Sequence, residues 1–257
     1  MPIAAVLTDL DGTLLEGDGS LGAEAKRVVA SLRVRGVPVV PMTSKTEAEL
    51  REWLTALDAG GFGSFENGAG VVTPGGTTIH PGALPVARLR EILEEVRGAT
   101  GVDAPAIDEI PRPELARLTG LTGRALETAL RREYDLPFLP PAGGKEKIQR
   151  VLEGCEEIRL TAGGIFWHLT GPHDKGDGAR TLLAKVARPG LVIGLGDAAN
   201  DIGFLSIADV PVLVPGPSGV APALRAAFPR ARIAPSCAGT GWARAVEGLL
   251  EEEGAAR

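Results

Sequence analysis

The opening run Ile3-Ala4-Ala5-Val6-Leu7-Thr8-Asp9-Leu10 is nearly continuous apolar sequence, and two carboxylates stand at its far end, Asp9 and Asp11. A run of this length predicts a strand covered on both faces, as in parallel α/β sheets. Burying carboxylates without a metal ion or hydrogen-bond donors beside them is costly. In open α/β sheets ligands sit at the carboxyl ends of the strands. Asp9, near the end of this run, and Asp11, opening the turn Asp11-Gly12-Thr13-Leu14, are therefore the first candidates for chemistry. The remaining sequence has to supply what they need.

Ser20 is a candidate cap for a helix over roughly Gly22 to Arg35, where Ala25, Val28, Val29 and Leu32 recur at helical spacing. Val37 to Met42 reads as a second strand, although Pro38 and Pro41 are awkward for a central position. Thr46 or Ser44 caps the next helix, to about Leu57. Asn67-Gly68 between short apolar runs signals a hairpin. From about Pro81 the pattern changes. Helices are expected from Val86 to Val96, Thr122 to Arg132 and Lys145 to Leu152, with strands at Leu136–Leu139, Glu157–Thr161 and Ile165–Leu169. This reads as an α+β unit over 81–171 inserted into a core of 1–80 and 172–257. A βα rhythm then resumes: a helix from Lys175 to Val186, the strand Leu191–Leu195, a helix opening at Ala198-Ala199-Asn200-Asp201, the strand Val210–Val214, a helix from about Val220, a short Arg232–Ala234 strand and a helix over Trp242–Leu250.

Composition excludes some functions. Acidic residues outnumber basic ones, 33 to 27, which argues against a nucleic-acid partner. No apolar run approaches the ~20 residues of a membrane span, and no signal-peptide pattern opens the chain; the cytoplasm is the expected location. Cys155 and Cys237 make no disulfide framework, and with His80, His168 and His173 they are too scattered for zinc. Both cysteines read as small buried hydrophobes. The 20 prolines, more arginine than lysine, and few Met and Cys lean toward a heat-adapted source.

Four clusters stand at strand ends or helix starts: Asp9/Asp11/Thr13, Thr43/Ser44, Lys175, and Asp197/Asn200/Asp201. Phosphoryl transfer through an aspartyl-phosphate calls for this combination. A carboxylate nucleophile splits a very slow hydrolysis into two steps. Attack by an anion on an anion requires neutralisation by Mg²⁺ on hard oxygen ligands, a lysine, and hydroxyl or amide donors.

Thr8-Asp9-Leu10-Asp11-Gly12-Thr13, then Thr43, Lys175 and Gly194-Leu195-Gly196-Asp197-Ala198-Ala199-Asn200-Asp201 resemble, in order, the four motifs of the haloacid dehalogenase superfamily. The resemblance implies a Rossmann-like α/β core, a parallel sheet with helices on both faces. It implies Asp9 as nucleophile and Asp11 as general acid/base. Thr43, with Ser44 beside it, would bind the phosphoryl group; either could be the main donor. Lys175 would pair with Asp9, and Mg²⁺ would be held by Asp9, the Asp11 carbonyl and Asp197, with Asp201 and Asn200 in support. The long interval between Ser44 and Lys175 places the insertion after the second motif, as in the type-2-capped sugar phosphatases. Glu66-Asn67-Gly68-Ala69 is similar to their post-strand turn. Pro41-Met42-Thr43-Ser44-Lys45-Thr46, Arg131–Phe138 and Gly163–Leu169 resemble the mannosyl-3-phosphoglycerate phosphatase family, although Asp135-Leu136 stands where that family carries Ser-Glu. The implied reaction is hydrolysis of a small phosphorylated sugar-glycerate to mannosylglycerate, a compatible solute, and phosphate.

Such a substrate has a second anion, for which Arg132, Lys145 and the Gly143-Gly144 amides are candidates, with His168 as a further contact. Structural readings stand beside these. Asn67 is also ordinary hairpin chemistry, Glu66 a solvated charge, Arg132 a complement to a helix C-terminus, and His168 a packed core histidine. A broader sugar-phosphate phosphatase, a phosphomutase and a non-catalytic sugar-phosphate binding module are the alternatives. The sequence leaves the oligomeric state open.

Overall fold

The computed structural model describes residues 1–58, 60–141, 143–186 and 189–255. Its elements, in chain order, are β1 (Ile3–Thr8), α1 (Ala23–Val34), β2 (Val39–Pro41), α2 (Glu47–Leu57), β3 (Gly63–Phe65), β4 (Gly70–Thr73) and β5 (Gly76–Ile79). There follow α3 (Val86–Thr100), α4 (Arg112–Thr119), α5 (Gly123–Ala129), β6 (Asp135–Phe138), α6 (Lys145–Leu152), β7 (Arg159–Ala162) and β8 (Trp167–Thr170). The chain ends with α7 (Lys175–Val186), β9 (Leu191–Gly196), α8 (Ile202–Leu205), β10 (Val210–Leu213), α9 (Pro222–Ala227), β11 (Arg232–Ile233) and α10 (Ala238–Ala255).

The main sheet has five parallel strands in the order β11-β10-β9-β1-β2. Its residues sort alternately onto two hydrophobic clusters, which is why β1 reads as unbroken apolar sequence. Val6, Val39, Ile193 and Val212 pack with α1 and α10. Leu7, Val40 and Leu213 pack with α7, α8 and α9 on the opposite face. Helices thus cover both faces, as expected for an α/β sheet of this kind. Pro38 just before β2 and Pro41 at its end are accommodated because β2 is an edge strand of this sheet. Beyond it, among the described residues, a single bridge, Met42 to Ser64, leads to the antiparallel sheet β3-β4-β5.

A third sheet, β6-β8-β7, is antiparallel and packs against α3 and α6 through Leu89, Leu93, Leu136, Phe138, Ile148 and Leu169. This is the α+β insertion. Its two connections to the core run side by side. A Cβ on Gly171 would lie 2.0 Å from the Gly82 carbonyl oxygen, and the His80 and His173 rings are 5.6 Å apart.

Several local expectations change. Thr46, not Ser44, caps α2, in a reciprocal pairing with Glu49. Gly22 rather than Ser20 occupies the N-cap of α1. The sequence reading did not anticipate α4 or β5. Proline in the first turn of α4 suits a helix start, where its missing N–H is no loss. Both cysteines are exposed, against the expectation of burial: Cys155 lies just beyond α6, and Cys237 just before α10. Among the described residues no helix is long and apolar enough to cross a membrane.

Candidate active site

The sequence clusters meet at the carboxyl end of β1. The Asp9 amide continues the ladder to the Leu195 carbonyl at 3.0 Å, which brings the loops after β1 and β9 together. A Cβ on Gly12, at φ +79°, would lie 2.6 Å from Asp197 Oδ2, so only glycine allows this approach. Thr13 Oγ1 donates to Asp197 Oδ1 at 2.8 Å. Lys175, the first residue of α7, is fully buried and donates to Asp9 Oδ1 and Asp201 Oδ1, both at 2.7 Å. Asp201 Oδ2 accepts from the Asp197 and Ala198 amides, folding the β9 loop back on itself.

Three carboxylates here share one ammonium. Burial pushes Asp9 well above the usual carboxylate range; Lys175 opposes the shift, and Asp201 and Asp197 add to it. Burial, then Asp201, pushes Asp197 up to about 7. Burial alone would depress the Lys175 ammonium, but Asp201 and Asp9 outweigh it and hold it above its ordinary value. The excess negative charge fits a divalent cation, and Asp9, Asp197 and Asp201 each offer an oxygen within 4.8 Å of the others. Both Asp201 oxygens are already bonded by Lys175 and backbone amides. This leaves Asp9 and Asp197 better placed to ligate, with Asp201 supporting them.

Thr43 is buried; its amide donates to the Ser64 carbonyl, and its Oγ1 accepts from the Lys45 amide at 3.1 Å. The Ser44 carbonyl accepts from Arg132. Lys45, absent from the sequence-based site, places its ammonium 2.8 Å from Asp11 Oδ2 and 3.8 Å from Glu49 Oε1. Burial works against this ammonium, but Asp11 and Glu49 raise it above its ordinary value. Its position two residues past Thr43, in the same loop, was the available signal.

The Glu66-Asn67-Gly68 turn joins core to insertion. All three residues have positive φ, at 43°, 56° and 96°. Gly68 packs so closely that a Cβ would lie 1.9 Å from the Asp174 carbonyl oxygen, next to Lys175. Gly68→Ala is expected to cost about 2 kcal/mol or more, from strain and clash together. Urea titration checks this; a change within about 0.5 kcal/mol would mean the turn shifts freely.

Glu66 is buried, not solvated, and its carboxylate accepts from the Glu133 and Tyr134 amides. Burial pushes it up to about 7; Asp135 adds to the rise, and Arg132 and the two amides oppose it. The unfolded carboxyl titrates near 4.5, so between there and about 7 the folded chain holds the extra proton. Stability from this proton is complete below pH 4.5 and lost as pH rises through 7. Relative to Glu66→Gln, which stays neutral, the parent should lose on the order of 3 kcal/mol between about pH 4.5 and 8. Urea titrations at the two pH values test this, and parallel curves for the two proteins would refute it.

Asn67 and Gly68 therefore do more than turn the hairpin. Asn67 Nδ2 donates to Asp135 Oδ2, and its Oδ1 accepts from Asn200 Nδ2, both at 3.1 Å. His168 is buried with Nδ1 2.8 Å from Asp135 Oδ2. Arg132 is committed to the Ser44 carbonyl, the Ala129 carbonyl and Asp135, so it clamps insertion to core. Gly143 and Gly144 border a different cavity, of about 650 Å³, lined also by Val102, Ile110 and Leu139 and by none of the acidic cluster. As candidates for a second anion they therefore stand apart from the Asp9, Asp197 and Asp201 cluster. Lys145 opens α6, and its side chain lies outside the described residues. The sequence reading also missed Asp135 and Arg159. Arg159 pairs with Asp174 beside a cavity of about 170 Å³ lined by Asn67, Thr161, Lys175 and Asn200.

Residues 6–104 match the model of a family described as haloacid dehalogenase-like hydrolase. A glucosyl-3-phosphoglycerate/mannosyl-3-phosphoglycerate phosphatase of Methanococcoides burtonii is 29% identical over 234 residues, covering 83% of this chain and 85% of that protein. A phosphoglycolate phosphatase of Methanopyrus kandleri is 29% identical over 224 residues, covering 85% of this chain and 83% of that protein. Among solved structures, a sugar phosphatase of haloacid dehalogenase subclass IIB aligns with a TM-score of 0.72 at 16% identity, covering 96% of this chain and 98% of that one. The matched model begins on β1, and the four motif clusters gather at one end of a parallel sheet with an α+β insertion beside it: over residues 6–104 the chain is similar to the haloacid dehalogenase-like hydrolases.

Proposed function

We propose that this hydrolase is a Mg²⁺-dependent phosphatase acting on mannosyl-3-phosphoglycerate, with 81–171 as a cap over a core of 1–80 and 172–257. The observation that carries this reading is the buried Lys175 ammonium shared by Asp9 and Asp201 beside Asp197, an arrangement suited to phosphoryl transfer. The Asp9 oxygen not bonded by Lys175 attacks phosphorus, the bond to the leaving oxygen breaks, and an aspartyl-phosphate forms. Asp11 gives the leaving oxygen its proton and then takes one from the water that cleaves the intermediate. Lys175 keeps Asp9 aimed and offsets charge on the phosphoryl oxygens, and Thr43 supplies a hydroxyl donor. A divalent cation bound by Asp9, the Asp11 carbonyl and Asp197 would neutralise further phosphoryl charge.

The Methanopyrus relative favours a second reading, a phosphatase for smaller hydroxy-acid phosphates. Phosphate release from mannosyl-3-phosphoglycerate, phosphoglycolate and hexose phosphates, measured with Mg²⁺ and with chelator, separates the two. The first reading expects metal-dependent preference for mannosyl-3-phosphoglycerate. Equal rates on simple hexose phosphates would remove the specific assignment, and no release from any ester would remove the phosphatase.

A further inference from the structure

A substrate such as mannosyl-3-phosphoglycerate carries a carboxylate besides its phosphate, and several cations near the site are engaged elsewhere. Arg132 holds the Ser44 and Ala129 carbonyls and Asp135. Lys175 holds Asp9 and Asp201, and Arg159 holds Asp174. Lys45 differs from these in its partner. Its ammonium stands 2.8 Å from Asp11 Oδ2, and Asp11 is the residue that the proposed reaction draws to the leaving oxygen.

The loop around Lys45 is fixed in place. The Lys45 carbonyl accepts from the Glu66 amide at 2.9 Å, and the neighbouring Ser44 carbonyl accepts from Arg132 of the insertion. Glu49 Oε1 is 3.8 Å from the ammonium, too far for a hydrogen bond, and Glu49 Oε2 accepts from the Thr46 amide. The Lys45 side chain is 13% exposed and that of Asp11 54%, so solvent reaches the pair from the Asp11 side. A largely buried ammonium whose partner is drawn to another atom needs a second anion, because a lone buried charge is costly.

Distance selects that anion. To give the leaving oxygen its proton, an Asp11 oxygen must come within about 3 Å of it, which brings the leaving oxygen within roughly 8 Å of the ammonium. A carboxylate two carbons from the leaving oxygen, as in 3-phosphoglycerates, spans this gap and can accept a charge-assisted hydrogen bond. A hexose phosphate has no anion to place there. We propose that Lys45 binds the carboxylate of the substrate, and so selects phosphate esters that carry a carboxylate one or two carbons from the leaving oxygen. This rests on the phosphatase reading above and narrows it to a substrate class.

The test compares mannosyl-3-phosphoglycerate with its carboxamide, in which a neutral amide replaces the carboxylate, at saturating Mg²⁺. The parent should favour the carboxylate by about tenfold or more in kcat/KM, the worth of one hydrogen bond to a charged group. In Lys45→Met, kcat/KM for the carboxylate ester should fall at least about tenfold further than for the carboxamide, with the difference carried by KM. A loss common to both esters measures what Lys45 does for Asp11. Lys45→Arg keeps the charge and should keep part of the preference. A preference that survives in Lys45→Met overturns the inference, and so does a parent that hydrolyses the two esters equally well. Should Lys45→Met not fold, Lys45→Gln carries the same comparison. A parent inactive on every ester would remove the phosphatase reading itself. One that cleaves hexose phosphates with no preference for a carboxylate would leave a phosphatase and sink only the role of Lys45.

Discussion

Replacing Lys175 with methionine is expected to destabilise the metal-free protein by about 3–5 kcal/mol and to abolish phosphate release. The ammonium is fully buried and is the donor common to Asp9 Oδ1 and Asp201 Oδ1, with Asp197 also close by. Methionine fills a similar volume, so the loss would come from charge rather than from a cavity. Two carboxylates would be left facing each other away from water, and burial already pushes Asp9 upward with lysine present. Urea titration in chelator measures the effect, and added Mg²⁺ should restore part of the stability by returning a cation to the cluster. Unchanged stability in chelator would mean that water or protonation already neutralises these groups.

Asp9→Asn should behave in the opposite sense. With Asp9 as the proposed nucleophile, its loss is expected to reduce phosphate release by more than about 10⁴-fold, the scale seen when a covalent catalyst is removed. Stability in chelator should hold or rise, because the folded state raises the pKa of Asp9 and therefore disfavours its charged form at neutral pH. Activity lost while the melting temperature holds would mark a residue kept for chemistry at the expense of stability. Residual release within about tenfold of the parent would assign the nucleophile elsewhere.

Much of this arrangement is legible along the chain because local rules govern it. The two-sided apolar run of β1 announces a covered strand, and the carboxylates just beyond it announce a ligand end. Asn-Gly specifies the turn between β3 and β4, and Thr46 with Glu49 three residues on specifies the start of α2. Partnerships formed only in space are the ones that stayed hidden. Nothing near Asn67 in sequence points to Asp135 or Asn200, and nothing near Glu66 points to the Glu133 and Tyr134 amides that bury it. Gly143-Gly144 has the composition of an anion-binding loop, but the packing of α6 turns it toward a different cavity. Arg132 carries the charge an anion site needs, yet that charge is spent on the Ser44 carbonyl. Composition shows what a side chain can bond; the fold decides whether it is still free to do so.

The backbone at Gly82 runs hard against the backbone at Gly171, with the His80 and His173 rings tilted against each other nearby. The host sheet meets the guest's covalent chain at two neighbouring tethers, and side-chain contacts from Glu66, Asn67 and Arg132 hold the two together around them. Because both tethers leave the core at one place, bulk and chemistry in the insertion can vary at a distance from the strands that carry Asp9 and Asp197. Specificity can drift in the guest while the host keeps its reaction.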